Sequence, residues 1–562
     1  MKIFIEQTDE RFNSGWATII WCAVEKNVRR LQERIYRATE RQAWRQVRNL
    51  QKLLARSISN KLLAIRLVTQ QNQGRKTPGV DGMVYDTPEK RWVFSQEKLS
   101  LKGYRPTAVK RVYIPKGEGQ QRPLGIPTMK DRVMQAIVKA ALGPEWEAKF
   151  EANVYGFRPG RRAMDAIEQL YSTLNKPGSS DWILDADLKG CFDHIAHEPL
   201  LARIPVFTTT IRWWLKAGVV ELGHYTQTDS GTPQGGVISP LLANIALDGM
   251  ERLFGGETKP GQPVPPSNKR GWKKGISLIR YADDFVVTAP SKQVIEQEVL
   301  PRLNHFLNQR GLSLNQAKTR IVHRNEGFNF LGFTLRRFGR KLLVKPQKEK
   351  VQAHLAHLKH ILMTNRQAPI DQIVQKLNPV IWGWANYYRH VVAKETFAYV
   401  EYHLWHLMWR WAKRRHPTKS AQWVKQRYYK QLGRRQMVFG NQHVTLRNPV
   451  SMPIIRYAKV IGRHSPYNPV LRDYWTKRYQ RQVDQQTNSR LKQTVLLQQD
   501  YQCGQCRLPF LPDDPIHFHH IVPRNNGGSD APHNRVALHP YCHHQSHQRY
   551  GYRCSRLEPL AG

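Results

Sequence analysis

Asp283 and Asp284 stand side by side in IRYADDFVV, with apolar residues on both flanks. Burying an ionised carboxylate is costly unless it is paired or binds a metal, so two together between apolar runs call for cations. A third, Asp187, closes another apolar run in LDADLKGCFDH. Three carboxylates carried by two neighbouring strands would hold two Mg2+ about 3.5–4 Å apart. The C-terminal tail offers a different chemistry. Cys503-x2-Cys506 and His539-x2-Cys542 supply two pairs of soft ligands, the spacing of a tetrahedral structural Zn2+ that can organise a module too small for its own core. Taken alone, an Asp-Asp pair is more often an exposed turn and a CxxC pair is weak, so the elements around them decide.

Those elements follow from periodicity. WILDADL (residues 182–188) and LIRYADDFVV (residues 278–287) read as short, very apolar strands, the second a hairpin centred on the aspartates. Residues 104–126 alternate around a Gly-rich turn and predict another hairpin. Residues 28–68 read as basic amphipathic helices ending at the Gly- and Pro-containing GRKTPGVDGM. Helices mixed with strands indicate an α+β domain, and the Pro-rich stretch of residues 258–269 reads as a loop inserted in it. From Lys350 to about Tyr429 strand signals give way to Leu, Trp and Tyr at helical spacing, which predicts a separate all-α domain. Trp405 and Trp409, at i and i+4, read as helical core.

The chain has 562 residues, enough for three or four domains. Its 88 Lys and Arg against 43 Asp and Glu give a net charge of +45 spread along most of the length. Such an excess points to a polyanion, bound with counterion release. No apolar run approaches the roughly 20 residues that cross a bilayer, so no membrane partner is expected. The segment from Trp16 to Val24 is short and follows acidic residues, unlike a signal peptide. A cytoplasmic location, or an organellar one in a eukaryote, is therefore expected. Six cysteines are too few for a disulfide framework, and three of them crowd into the tail.

The aspartate blocks resemble the reverse-transcriptase family, whose palm hairpin carries Tyr-x-Asp-Asp and whose preceding strand carries an Asp followed five residues later by an aromatic. The resemblance makes Asp187, Asp283 and Asp284 the Mg2+ ligands, with one ion activating a primer hydroxyl and the other stabilising pyrophosphate. It makes Phe192 the residue that excludes a ribose 2′-hydroxyl. PKGEGQQRPLGIPT is similar to the fingers hairpin, which implies that Lys116 and Arg122 grip the deoxynucleoside triphosphate; generic surface charge is the other reading. GTPQGGVISPLLANI places Gln234 near template and nucleotide, and LSLNQAKTRI offers Lys318 to a phosphate. Asp185 reads as structural and Asp193 as a helix-start hydrogen-bonding residue. Cys191 stands where an aromatic is common.

GRKTPGVDG, GFRPGRRAMDAI, LNPVIWGWANYYRH and the metal-rich tail narrow the resemblance to group II intron-encoded proteins. Their helical domain binds intron RNA and assists splicing, and in this chain Trp382 stands where a basic residue is expected. The tail, with FHHIVPRNNGGSDAPHNRVALHPYCHHQSH, resembles the HNH (ββα-metal) nucleases. By that resemblance His520 is the general base, His519 and His543 bind the catalytic divalent metal with His547 as a third ligand, and Asn534 orients the loop around the base. A zinc ribbon that only binds DNA is the competing reading, and His539 stands where relatives often have cysteine.

The implied architecture is multidomain. An N-terminal helical extension of the fingers (1–85) precedes an α+β right-hand fingers and palm (86–345) and an all-α thumb or maturase domain (346–450). A DNA-binding linker region (451–495) and a small zinc-containing HNH domain (496–562) follow. The implied function is reverse transcription, intron splicing and site-specific DNA cleavage, with intron RNA, target DNA and deoxynucleoside triphosphates as partners. A splicing factor with a dispensable polymerase and a defence or retron-like reverse transcriptase remain alternatives. No motif encodes the oligomeric state or the particular RNA and DNA.

Overall fold

The computed structural model describes residues 15–117, 120–254, 275–433, 435–487 and 489–550. The loop expected at residues 258–269 lies outside them. Helices Trp21–Glu40, Trp44–Arg56 and Ile58–Arg66 form where the amphipathic pattern predicts. Their buried stripe, including Val28, Ile35, Leu50 and Leu54, packs on the Met129–Lys149 helix. That helix is capped by Thr128, whose hydroxyl accepts from the Asp131 amide. The expected hairpin is present as β1 (Val109–Gly117) and β2 (Gln120–Ile126), antiparallel with Ile114 opposite Arg122. The short strands β4 (Val219–Glu221) and β5 (His224–Thr226) complete its sheet in the order β2-β1-β4-β5.

A second sheet carries the aspartates. It comprises β3 (Trp182–Ala186), β6 (Ser277–Tyr281), β7 (Asp284–Ala289) and β8 (Arg320–His323), all antiparallel in the order β6-β7-β3-β8. Alternate residues face different cores. Leu184, Leu278, Phe285 and Val287 join one with the Met129–Lys149 and Ser239–Leu247 helices. Ile183, Ile279 and Val286 join another that reaches a third sheet and the following helices. Covering both faces explains why the two strands read as continuous apolar runs rather than alternating ones.

The third sheet, β9 (Phe328–Phe330), β10 (Phe333–Phe338) and β11 (Lys341–Pro346), leads into helices Lys348–Thr364, Ile370–Tyr388, Lys394–Arg415 and Ala421–Tyr428. Phe333 joins the two parts, with its ring centroid 5.2 Å from Tyr387 and 5.0 Å from Tyr388. The region of residues 346–450 is not all-α. A hairpin of β12 (Tyr429–Leu432) and β13 (Arg435–Phe439) follows the last helix. Gly433, at φ 60°, supplies the left-handed turn residue. The hairpin closes the helical core with Tyr429 and Phe439, and Trp405 and Trp409 stack at 5.7 Å and lie half-buried beside Tyr429. Trp382 carries the Arg447 guanidinium 4.9 Å above its ring, which puts a cation beside the expected basic position.

Residues 451–487 pack back onto the earlier domains. Arg478 pairs with buried Asp165 at 2.9 Å, Arg472 pairs with Glu33 at 2.8 Å, and Arg463 donates to the Lys149 carbonyl. Three of the segment's basic groups are thus engaged inside the molecule. The tail folds as β14 (His517–His520), β15 (Arg535–Leu538) and helix Pro540–Tyr550, the two strands antiparallel.

Candidate functional site

Strand register brings the three aspartates together. Ala186 of β3 pairs with Phe285 of β7, and Asp185 pairs with Arg320 of β8. Continued past the strand end, those registers set Asp187 opposite Asp284 on one side and Lys318 on the other. The Lys318 ammonium indeed pairs with Asp187 at 2.7 Å. Tyr281 pairs with Asp284, leaving Ala282 and Asp283 as a two-residue turn. Ala282 sits at φ 59°, a conformation that costs an L-residue about 1–2 kcal/mol and so needs support. Buried Arg280 gives it, donating to the Ala282 carbonyl at 2.9 Å and to Asn244 Oδ1 at 3.0 Å. Gly156 presses against the same turn, and a Cβ there would lie 2.3 Å from the Ala282 nitrogen.

Like charges crowd here. Asp284 keeps an open face to solvent, yet the protein around its other sides, then Asp283 and Asp187, push its carboxyl up to about 7. Burial, and next Asp187, raise Asp283, while Arg122 and Lys318 oppose the rise. Hard oxygen donors that resist ionising together suit a small divalent cation. A raised carboxyl stabilises the metal-free fold at low pH, and that stability is lost as pH rises through about 7. Mg2+ binding must also displace the proton below that pH. Mg2+ affinity is therefore expected to rise about tenfold per pH unit up to neutrality and then level off. Calorimetric titration of the protein between pH 5.5 and 8.5, spanning the value of about 7, checks this, and a flat profile contradicts it.

Arg122 is exposed on β2 and close enough to act on Asp283. Lys116 belongs to β1, and its side chain lies outside the described ones. Phe192, half-buried, meets Phe157 edge to face at 6.1 Å. Gln234 donates to both Asp193 oxygens at 3.4 and 3.3 Å. Asp193 stands at a helix start and its carboxylate is hydrogen-bonded, as expected, but its partner is a side chain distant in sequence and not the helix's own backbone. Gly190 precedes the short Cys191–His194 helix, and the Asp193 carboxylate, inside its first turn, holds Gln234. Asp185 forms an ion pair with Arg320 at 3.3 Å, the structural role expected of it.

The tail holds two donor clusters. Cys503, Cys506, His539 and Cys542 are all buried, with ligand atoms within 4.8 Å of one another. His539 Nδ1 lies 3.5 Å from the Cys506 sulfur, and its Nε2 lies 3.4 Å from Asp514. A carboxylate behind a ligating histidine fixes its orientation. Three thiols and one imidazole suit zinc.

His519, His543 and His547 form the second cluster. His543 Nε2 lies 3.1 Å from both His519 Nδ1 and His547 Nε2. Burial and the neighbouring imidazoles hold His543 down to about 4, so it is neutral, the form that ligates metal. His520, the next residue on β14, points elsewhere, with Nε2 2.8 Å from Asp530 Oδ1. Arg524 and Arg535 hold that carboxylate. Asn534 accepts from the Val522 amide at 2.8 Å and donates to the Val522 and Ser529 carbonyls, pinning the loop after His520.

Sequence reasoning missed Asp530, Asp514 and His517. His517 Nδ1 lies 3.2 Å from His543 Nδ1. Only His517 left a signal, because it stands two residues before His519 and so on the same strand face.

Known families match in the same order. The model described as N-terminal domain of reverse transcriptase covers residues 16–97, and reverse transcriptase (RNA-dependent DNA polymerase) covers 114–335. The group II intron maturase-specific domain covers 351–429, and HNH endonuclease covers 503–549. Protein YkfC of Escherichia coli is 34% identical over 300 residues, 48% of this chain and 78% of that protein. The group II intron-encoded protein LtrA of Lactococcus lactis is 31% identical over 326 residues, 47% of this chain and 53% of LtrA. The chain belongs to the family of group II intron-encoded proteins. As a member of that family it carries reverse transcriptase, maturase and HNH endonuclease domains. It spans about half the length of LtrA, and 25% identity links 403 of its residues to an uncharacterized 91 kDa protein in the cob intron of Schizosaccharomyces pombe. No helix among the described residues is long and apolar enough to cross a membrane.

Proposed function

We propose that this chain binds its intron RNA through the helical maturase domain, assists its splicing, and copies it into DNA from a primer that its own nuclease makes in the target DNA. The observation that carries the reading is the coexistence in one chain of two groups of donors of different chemistry: the mutually repelling carboxylates of Asp187, Asp283 and Asp284, and the imidazoles of His519, His543 and His547.

In this reading Asp187, Asp283 and Asp284 hold Mg2+, which when bound supplies Lewis-acid charge to the primer hydroxyl and the departing pyrophosphate. Arg122 and Lys116 hold the phosphates of the deoxynucleoside triphosphate. Lys318, now paired with Asp187, is placed to turn to a phosphate when cations satisfy that aspartate. The Phe192 ring, backed by Phe157, blocks a 2′-hydroxyl, and Gln234 is held beside the nucleotide by Asp193. At the second centre His520 takes the proton of the attacking water. His519, His543 and His547 hold a divalent ion whose charge stabilises the cleaved phosphate, and Cys503, Cys506, His539 and Cys542 hold a structural Zn2+. The cytoplasm of a bacterium, or an organelle, fits these partners.

Purified protein loaded with its intron RNA, given a labelled target duplex and deoxynucleoside triphosphates, is expected to nick one strand and extend the new 3′ end with intron-templated DNA. Products that start only from added primers would overturn the coupling. The splicing-factor reading predicts the same RNA binding with no extended product.

A further inference from the structure

The nuclease module is fastened to the opposite end of the chain, and the fastening runs through the Cys3His cluster. Arg66 is the last residue of the Ile58–Arg66 helix and is 1% exposed. Its guanidinium is sandwiched between the Trp21 ring at 4.3 Å and the Tyr541 ring at 4.6 Å, and it donates to the Cys506 sulfur. Its Nε and Nη1 have no hydrogen-bond partner. Among the described residues no carboxylate forms an ion pair with it.

A guanidinium that is buried without an anion opposes the contact that buries it. Three thiolates and a neutral imidazole around a divalent cation sum to one negative charge. The cluster, when loaded, is therefore the missing anion. We propose that Arg66 is the outer-sphere counter-cation of this zinc centre, and that zinc loading is what docks the nuclease module on the N-terminal helices of the polymerase. The inference rests on the zinc reading given above. Cation and centre depend on each other: the metal-loaded cluster makes burial of Arg66 favourable, and Arg66 balances the cluster's charge and shields its thiolates from solvent.

Docking has a consequence for cleavage. Between the module and the helices runs a cleft of about 940 Å3. One wall carries Tyr541, His544 and His547, and the other carries Gln71, Arg75 and Lys76. Gln71 also hydrogen-bonds the Tyr541 hydroxyl. The docked state therefore sets two cations of the polymerase across from a ligand of the nuclease metal, where a phosphodiester strand would run.

The test uses the full chain purified with zinc, comparing wild type with Arg66→Met and Arg66→Lys. Two quantities are read: zinc transfer to a colorimetric chelator, and limited tryptic cleavage at Arg490, the exposed first residue of the Arg490–Gln498 helix that leads into the module. Outer-sphere partners typically change metal affinity about 10–100-fold. Arg66→Met is expected to release zinc faster by a factor in that range and to be cut readily at Arg490 even before release. Arg66→Lys, which keeps the charge, should lie nearer wild type. Primer extension on an RNA template should persist in both. Stripping zinc from the wild type should loosen the Arg490–Gln498 helix and make the bond after Arg490 cleavable, and adding zinc back should protect it. Wild-type zinc retention and protection in Arg66→Met would overturn the inference, as would a zinc-free wild type that stays protected. If Arg66→Met loses primer extension and so fails to fold, the wild-type stripping arm decides alone. A wild type that binds no zinc at all overturns both this inference and the zinc reading beneath it.

Discussion

Asp283→Ala is expected to lower primer extension on an RNA template at least about a thousandfold, because losing a metal-binding carboxylate forfeits several kcal/mol of charge stabilisation. The loss comes from charge rather than packing. Asp283 occupies a two-residue turn whose backbone is held by Arg280 and pressed by Gly156, and alanine fits that turn as Ala282 already does. Asp283→Asn, which keeps the shape, should lose nearly as much. Removing one of three crowded carboxylates also relieves Asp284, whose carboxyl is pushed up to about 7 in part by Asp283. The variant should therefore fold at least as stably without Mg2+ as the wild type does, which separates a catalytic defect from a folding one. Splicing of the intron RNA, assayed on the same preparation, should persist, since it requires binding by the helical domain and no aspartate chemistry. Primer extension within tenfold of wild type would end the assignment of this centre. Loss of splicing together with extension would show that the two activities share a site.

How much of this could be read from the chain depends on how local the determinants are. The β6–β7 hairpin was legible because the paired carboxylates interrupt an apolar run that folds on itself. That Asp187 joins this pair was expected from the apolar strand it closes and from the family resemblance, but the register that sets it opposite Asp284 was not, because β3 and β7 are separated by several intervening elements. The helical domain was legible from its 3.6 period, but β12 and β13 were not. YYKQLGRRQMVF lies directly after a helix and is rich in residues that helices also accept, and only its closure over the Trp405–Trp409 pair makes it a hairpin. In the tail, ligand types and spacing pointed to Cys503, Cys506, His539 and Cys542, and the family resemblance pointed to His519, His543 and His547; each set comes together in the fold, with His539 Nδ1 facing the sulfurs. What was invisible is the set of groups that orient them. Asp514, Asp530 and Arg66 are ordinary surface residue types in the sequence, and each acquires a role only through a partner that folding brings to it. Asp193 does stand in the first turn of a helix, as its neighbourhood suggested, but its hydrogen-bond partner, Gln234, is distant in sequence and was not legible.

The second large effect lies at His520. His520→Ala is expected to reduce nicking of target DNA by about 10²–10⁴-fold, the usual contribution of a general base, while leaving primer extension and zinc content unchanged. The geometry separates His520 from its neighbours on β14. His519 and His517 face His543, whereas His520 Nε2 is held at 2.8 Å by Asp530, itself fixed by Arg524 and Arg535. With Nε2 so engaged, Nδ1 is the nitrogen that can take a proton from water. The aspartate keeps that tautomer and stabilises the imidazolium that forms. Asp530→Asn should therefore cost less than the loss of His520, because the imidazole that takes the proton is still present. His543→Ala tests the other role: it removes a metal ligand, so added divalent ion should partly restore activity. Excess metal should do nothing for His520→Ala, whereas added imidazole, small enough to enter the space the side chain leaves, should recover part of the rate. Rescue of His520→Ala by metal alone would instead make His520 a ligand and leave the base unassigned.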